Sequence, residues 1–337
     1  MRQVVIIGGG VAGLEAAGFL GKMGHQVVLL EKEKAVGGHV GKWDRLFPNR
    51  RQGSEVMDFI RKKMDEKVSI ITEAGIKSID TSPDGYAVVL TNGEAIRADA
   101  ILLATGFELF DARKKEEYGY GIYDNVITSA DLERIFREEG KITTADGQAP
   151  QKVAFVHCVG SRDEKAGNVY CSKVCCVTGV KQAIEVKEMM PAAKVYSFYM
   201  DIRMFDRHFE ELYIEAQQQG ITFIRGRLSE VYEDQGKVQC KVEDTLTGKP
   251  MKVTVDLLVL LVGFMPSPET KRLAGMLKIN IGSDGFVLPI DGHISQNETG
   301  VPGIFLAGAV TGPKCIATTL SDARSAALQI DQYLKTK

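Results

Sequence analysis

The sequence predicts an α/β fold of two similar domains, each a strand–loop–helix–strand core with a small antiparallel sheet inserted. Three observations predict it. A short apolar run, Val4-Val5-Ile6-Ile7, breaks into Gly8-Gly9-Gly10-Val11-Ala12-Gly13 and then into an alanine-rich helical pattern that ends at Gly24. The same plan begins again at Lys152. Both halves close on an Asp-led apolar strand that ends in glycine, at residues 99–106 and 256–263.

The first element is a glycine fingerprint in a strand–turn–helix–strand context, which makes the two domains dinucleotide-binding in type. Gly8 permits the tight turn. Gly10 lets the backbone approach a pyrophosphate, whose charge then sits at the helix N-terminus opened by Val11 and Ala12. Gly13 and Ala17 let the helix lie close to the sheet. Residues 25–30 read as the second strand, closed by Glu31, whose carboxylate can accept from ribose hydroxyls. Lys32 leads to the pair Gly37-Gly38 and then His39. An acid followed at short range by such a pair is usual in FAD proteins of the glutathione-reductase type, so FAD is favoured over NAD at this end.

A helical segment at 55–66 and a strand at 69–71 come next. Three short strands follow, with turns at Pro83-Asp84-Gly85 and Asn92-Gly93, as a small antiparallel meander. Residues 99–106 return to the main sheet and end in Ala104-Thr105-Gly106, a close-approach edge. Residues 111–121 look like a connector, and 129–139 like a short helix with Ser129 as N-cap; Glu133 stands one residue late for a capping box. A turn-rich stretch at 143–151 suggests a boundary. The expected division is 1–150, first part of an FAD-binding domain; 151–264, a degenerate NAD-binding-like domain; and 265–337, second part of the FAD domain. In the middle domain, strands are expected at 153–156, 194–200, 221–225 and 229–233, with helices at 172–190 and 205–219. A hairpin at 238–255 and a closing strand complete it. Gly308, Ala309 and Lys314 lie at the end of the last strand, before a long helix at 319–334.

Positive and negative side chains nearly cancel, 42 against 44, so net charge does not suggest nucleic acid. A local cluster, Lys42, Arg45, Arg50 and Arg51, reads as a solvated loop, or as a contact to cofactor phosphate or an acidic partner. No apolar run is long enough to span a bilayer. The first strand begins almost at Met1, so no signal peptide is expected, and the clustered cysteines suit a reducing cytoplasm.

Where a nicotinamide-binding copy would carry its glycines, the chain has His157-Cys158-Val159-Gly160-Ser161-Arg162-Asp163. Only Gly160 survives of that pattern, which argues against NAD(P)H there. Cys158, Cys171, Cys175 and Cys176 gather soft sulfur ligands instead. Their spacing leaves iron–sulfur, zinc, a redox dithiol and inert core thiols open; a flavin neighbour favours iron–sulfur, since zinc carries no electrons. His157 reads equally as a cluster neighbour or a core histidine. Cys240 reads as core. Cys315 reads as a small apolar filler or, at a helix N-terminus, as a redox thiol. Lys181 reads as a surface residue or as a cation that would stabilise reduced flavin.

These motifs resemble the flavoprotein core of the HdrA family, the flavin-bearing component of heterodisulfide reductase. The likeness rests on the 8–13 fingerprint, Cys158-Val159-Gly160-Ser161-Arg162, Tyr170-Cys171-Ser172-Lys173-Val174-Cys175-Cys176, Tyr199-Met200-Asp201-Ile202-Arg203 and Gly312-Pro313-Lys314. It covers essentially the whole chain. The resemblance implies a thioredoxin-reductase-like fold with FAD and one [4Fe–4S] cluster on Cys158, Cys171, Cys175 and Cys176, with Lys181 at the family's lysine near the flavin. Long methanogen members carry further ferredoxin-like segments at both ends; this chain looks like the short form of sulfur-metabolising prokaryotes. It departs in having Cys315 where an acid often follows Gly-Pro-Lys, and Gly308-Ala309 where Gly-Asp is usual. The implied activity is that of an oxidoreductase subunit passing electrons between FAD, the cluster and HdrB-like and HdrC-like partner subunits, around a homodimeric core. The rivals are a stand-alone NAD(P)H-dependent flavin oxidoreductase and a scaffold that keeps FAD only for stability.

Overall fold

A computed structural model describes residues 2–83 and 85–337. Asp84, in the turn expected at 83–85, lies outside the described residues. The chain divides into two compact units: one of Met1–Lys42, Gly53–Glu108 and Met265–Lys337, the other of Trp43–Gln52 and Leu109–Phe264.

The first unit is built on a five-stranded parallel sheet. Its order is Ile304–Leu306, Ala100–Leu103, Gln3–Ile7, Gln26–Leu30, Val68–Ile71. The strands at 4–7 and 100–103 are buried throughout, which explains continuous apolar runs rather than alternation. Helix Val11–Lys22 leaves the first strand at once. A Cβ on Gly13 would stand 1.9 Å from the Gly8 carbonyl oxygen, so only glycine permits this approach. The expected meander is present as Ile76–Ser82, Gly85–Leu90 and Ala95–Ala98, antiparallel. Its inner residues Ile79, Val88 and Ile96 share a core with Leu273 and Leu277 of helix Pro268–Leu277.

The second unit repeats the parallel sheet: Val126–Thr128, Leu257–Val262, Lys152–Val159, Lys194–Tyr199, Thr222–Arg225. Its antiparallel sheet is Leu228–Asp234, Lys237–Asp244 and Lys249–Val255. The aspartate that opens each closing strand has the same task in both units. Asp99 Oδ2 accepts from the Gln3 N–H at 2.8 Å; Asp256 Oδ2 accepts from Gln151 and Lys152 N–H at 2.9 and 2.8 Å. Each carboxylate therefore pins the closing strand to the start of its neighbour.

Three details differ from the sequence reading. Residues 109–150 belong with the second unit, because strand Val126–Thr128 forms that sheet's edge. A three-residue strand carries too little periodicity to announce itself. The helix at 129 is capped by Thr128, not Ser129, in a reciprocal capping box with Asp131. The helix expected from 205 begins at Phe209, because His208 takes φ +69°.

Candidate functional site

In the first unit, Gly8 turns at φ +112° and Gly10 caps helix Val11–Lys22 with no side-chain bond. The N–H groups opened by Val11 and Ala12 thus lack a side-chain acceptor. No atom lies within 4 Å of a Cβ position on Gly10, so the space before the helix end is open. Gly38, at φ +55°, folds over it, its Cβ position 3.3 Å from Gly10 Cα. Buried Glu31 accepts from Gly9 N–H through Oε2 at 2.8 Å and from Glu33 N–H through Oε1 at 2.9 Å. Each oxygen keeps a lone pair for a hydroxyl donor. Lys32 is exposed, 3.7 Å from Glu108. The His39 ring stacks on Phe107, centroids 4.5 Å apart, with Nε2 at 3.0 Å from the Phe107 carbonyl. Burial lowers its pKa, favouring the neutral ring. Gly106 turns at φ +70°.

The end of strand Ile304–Leu306 holds a residue the sequence did not single out. Asp322, buried on helix Ile316–Thr336, accepts from Gly308 N–H at 2.7 Å, Lys314 Nζ at 2.6 Å and Asn297 Nδ2 at 2.6 Å. Lys314 also donates to the Gly308 carbonyl at 3.0 Å. The lysine is thereby turned inward to fix the turn that carries Gly308 and Ala309. Cys315 is the buried N-cap residue of that helix, its Sγ 3.2 Å from Thr318 Oγ1.

In the second unit the strand does not pass straight into a helix. Strand Lys152–Val159 includes His157 and Cys158, and helix Cys175–Met189 starts only after a loop at 160–174. Gly160 takes φ +74°, and a Cβ there would stand 2.1 Å from Phe110 Cγ. The Phe110 ring fills the room that a turn glycine leaves. The loop is anchored at several points. Arg162 N–H donates to the Tyr170 carbonyl at 2.9 Å, and buried Asp163 pairs with Lys115 at 2.9 Å and Arg227 at 3.1 Å. Phe264 N–H donates to Ser172 Oγ at 2.9 Å.

All six cysteines lie among the described residues, and none is in a disulfide. Cys175, at the start of the helix, hydrogen-bonds both Cys158 and Cys176, and all three are buried. Its two thiol neighbours and burial push the Cys175 thiol up, while the nearness of Cys175 pulls Cys158 and Cys176 down. His157 adds to the lowering of Cys176; its Nε2 lies 2.8 Å from Ser197 Oγ and its Nδ1 is buried without a partner. Cys171 is half-buried on the loop, its Sγ accepting from Lys173 N–H at 3.3 Å. Cys175 therefore adjoins two of the other nominated thiols, Cys158 and Cys176, and the fourth, Cys171, is on the adjoining loop. Among the described residues, no group of three or more His, Cys, Asp or Glu side chains is arranged to hold a metal ion.

Lys181 is not on the surface. It is buried, donates to the Arg45 carbonyl at 2.9 Å, and pairs with Glu133 and, at 3.0 Å, with Glu185. Gln182 donates to Glu133 at 2.7 Å. Glu133 and Glu185 had no signal as site residues: Glu133 is far away in sequence, and Glu185 looks like an ordinary helical charge. The arginine cluster is likewise not merely solvated. Arg50 pairs with Glu215 at 3.0 Å and Glu188 at 3.4 Å, and Arg45 with Glu188 at 3.3 Å, which ties residues 43–52 to two helices. Cys240 is wholly buried, its thiol pushed up to about 12 by burial, as a core residue should be.

A family model described as pyridine nucleotide-disulphide oxidoreductase matches residues 2–133 and 175–329. The stretch it leaves out carries Cys158, Arg162 and Cys171. The HdrA component of the H2/formate:CoB-CoM heterodisulfide,ferredoxin reductase of Methanococcus maripaludis is 32% identical over 97% of this chain and 63% of its own length. The CoB–CoM heterodisulfide reductase iron-sulfur subunit of Methanocaldococcus jannaschii, also an HdrA, shows the same figures. The chain thus spans under two thirds of these relatives. Among solved structures, thioredoxin reductase of Lactococcus lactis has TM-score 0.70 at 18% identity, covering 100% of both chains. That of T. acidophilum has TM-score 0.68 at 20% identity, covering 100% of this chain and 99% of the other. The fold is that of FAD-binding oxidoreductases with small inserted sheets. No helix among the described residues is long and apolar enough to cross a membrane.

Proposed function

The chain belongs to the pyridine nucleotide-disulphide oxidoreductase family, and we propose that it is the electron-transferring iron–sulfur flavoprotein subunit of a heterodisulfide-reductase-like complex in sulfur metabolism. The observation that carries this is the contrast between the two turns. The turn in the first unit passes straight into a helix whose start is open at Gly10, while the second unit has Arg162 at the place of Gly10 and a thiol-bearing loop before its helix begins at Cys175.

The donor chemistry, rather than a preformed metal site, supports both groups. The uncapped helix end at Gly10, Val11 and Ala12 would bind the FAD pyrophosphate, with Glu31 and Gly38 at the adenosine side and Gly308, Ala309 and Lys314 at the far end. Four soft thiols, Cys158, Cys171, Cys175 and Cys176, would hold a [4Fe–4S] cluster. When bound, FAD supplies two-electron chemistry and the cluster single-electron chemistry. The protein's own residues orient the groups, exclude water and set local charge. The resemblance nominates Lys181 as the family's lysine near the flavin, and the helix N-terminus, not the resemblance, nominates Cys315 as a redox thiol. Likeness to the HdrA family supports HdrB-like and HdrC-like partners and a homodimeric core, and the clustered free thiols support a cytoplasmic location.

A second reading is a stand-alone NAD(P)H-dependent flavin oxidoreductase, favoured by the family match in both units. The loop at 160–174, which replaces a direct turn from strand to helix and puts Arg162 where the first unit has Gly10, stands against it. The test is anaerobic purification with iron, sulfide and flavin counts, alongside Cys171→Ser. We expect about four irons and one FAD per chain, with iron lost in the variant. Zinc in place of iron, or unchanged iron in C171S, would overturn the ligand set. Rapid flavin bleaching by NADH would favour the second reading.

A further inference from the structure

Two residues on from the first turn residue, the first unit has Gly10 and the second has Arg162. Arg162 is a bulky residue held at φ +52°, a conformation that side chains rarely adopt. Its guanidinium is anchored on one side: Nη2 donates to Asp201 Oδ2 at 2.7 Å. Asp201 is steadied in turn by Arg225, 3.7 Å from Oδ1, while Arg225 Nε donates to the Met200 carbonyl at 3.2 Å. The Asp201 carbonyl also accepts from Cys176 Sγ at 3.6 Å. On its other side the guanidinium lies near the Cys158 thiol, and its Nη1 is buried with no partner. A buried N–H left without an acceptor is destabilising, so such a donor asks for an acceptor.

We propose that Arg162 is the residue that sets the potential of the thiol centre, a fixed positive charge and N–H donor held against Cys158 by Asp201. The proposal rests on the iron–sulfur reading above. An iron–sulfur centre on four thiolates is anionic, and one-electron reduction adds a further negative charge. Net charge and hydrogen bonds to sulfur set the potential of such centres. A guanidinium does not lose its proton at any accessible pH, so its charge is permanent. It therefore favours the reduced form and raises the potential. This also gives the Gly-Ser-Arg and Tyr-Met-Asp segments one joint purpose, since Arg162 and Asp201 meet.

The test is an EPR-monitored redox titration of anaerobically purified full-length protein, as wild type, Arg162→Lys and Arg162→Gln. R162Q keeps a hydrogen-bond donor and loses the charge; R162K keeps the charge and loses the fork. We expect R162Q to retain its iron, with the reduced-to-oxidised ratio at the wild-type midpoint falling at least about tenfold, about 59 mV for a one-electron couple. R162K should fall between, and the flavin midpoint in the same samples should not move. A loaded R162Q with an unmoved midpoint would overturn the proposal. So would loss of iron from both variants, which marks a purely structural role. If R162Q alone loses iron, the R162K midpoint decides: moved negative supports, unmoved overturns. An iron-free wild type would instead sink the cluster reading, and this proposal with it.

Discussion

Glu185→Gln tests how the charge around Lys181 is balanced. Lys181 faces two carboxylates, Glu133 and Glu185, all three almost fully buried. With both acids ionised, this group carries a net negative charge inside the unit. Arg45, on the 43–52 excursion, lies nearby but pairs with Glu188, and Arg50 with Glu188 and Glu215. Burial pushes the Glu185 carboxyl up from 4.5 to about 7, against the pull of Lys181 and with the push of Glu133. The sign follows from proton counts. Between these values the native state holds a proton that the unfolded chain has released. The contribution to stability is complete below the unfolded value and is lost as pH rises through the folded one. Over the span from about pH 5 to about pH 8 the loss is about 2.5 kcal/mol. Glutamine cannot ionise, so the variant lacks this loss. The assay is urea unfolding of both proteins at the two pH values. The stability of E185Q relative to wild type should improve by about 2–3 kcal/mol on going to the higher pH. A difference independent of pH would refute the reasoning and leave Glu185 ionised throughout.

Two further outcomes are expected. Gly160→Ala places a Cβ 2.1 Å from the Phe110 ring at φ +74°, and should cost about 2 kcal/mol or more. Thermal melts check this, and adding Phe110→Ala should recover the steric part. Asp322→Ala strands Lys314 and the Gly308 N–H without their shared acceptor. It should cost about 3 kcal/mol and lower the FAD retained through gel filtration, while Asp322→Asn should fall between; unchanged retention in D322A would show that this turn does not serve the flavin.

Everything carried by neighbours along the chain was readable in order. The glycine turn, its helix and Glu31 lie within one strand–helix–strand segment, and their roles follow from backbone geometry and spacing. The paired strands opened by Asp99 and Asp256 were visible because each is a continuous apolar run, as strands buried on both faces must be. The thiols stood out by number and closeness. Other features wait on contacts between distant segments, for which local periodicity holds no information. Thr128 outranks Ser129 as a cap because only Thr128 finds Asp131 in a reciprocal bond. Lys181 has the look of an exposed helical charge until Glu133 and the Arg45 carbonyl come to meet it from other parts of the chain. Asp322 replaces no motif, and Arg162 reaches Asp201 across thirty-nine positions. Burial and ion pairing belong to three-dimensional neighbourhoods, so a charge's task is decided by what the fold brings beside it.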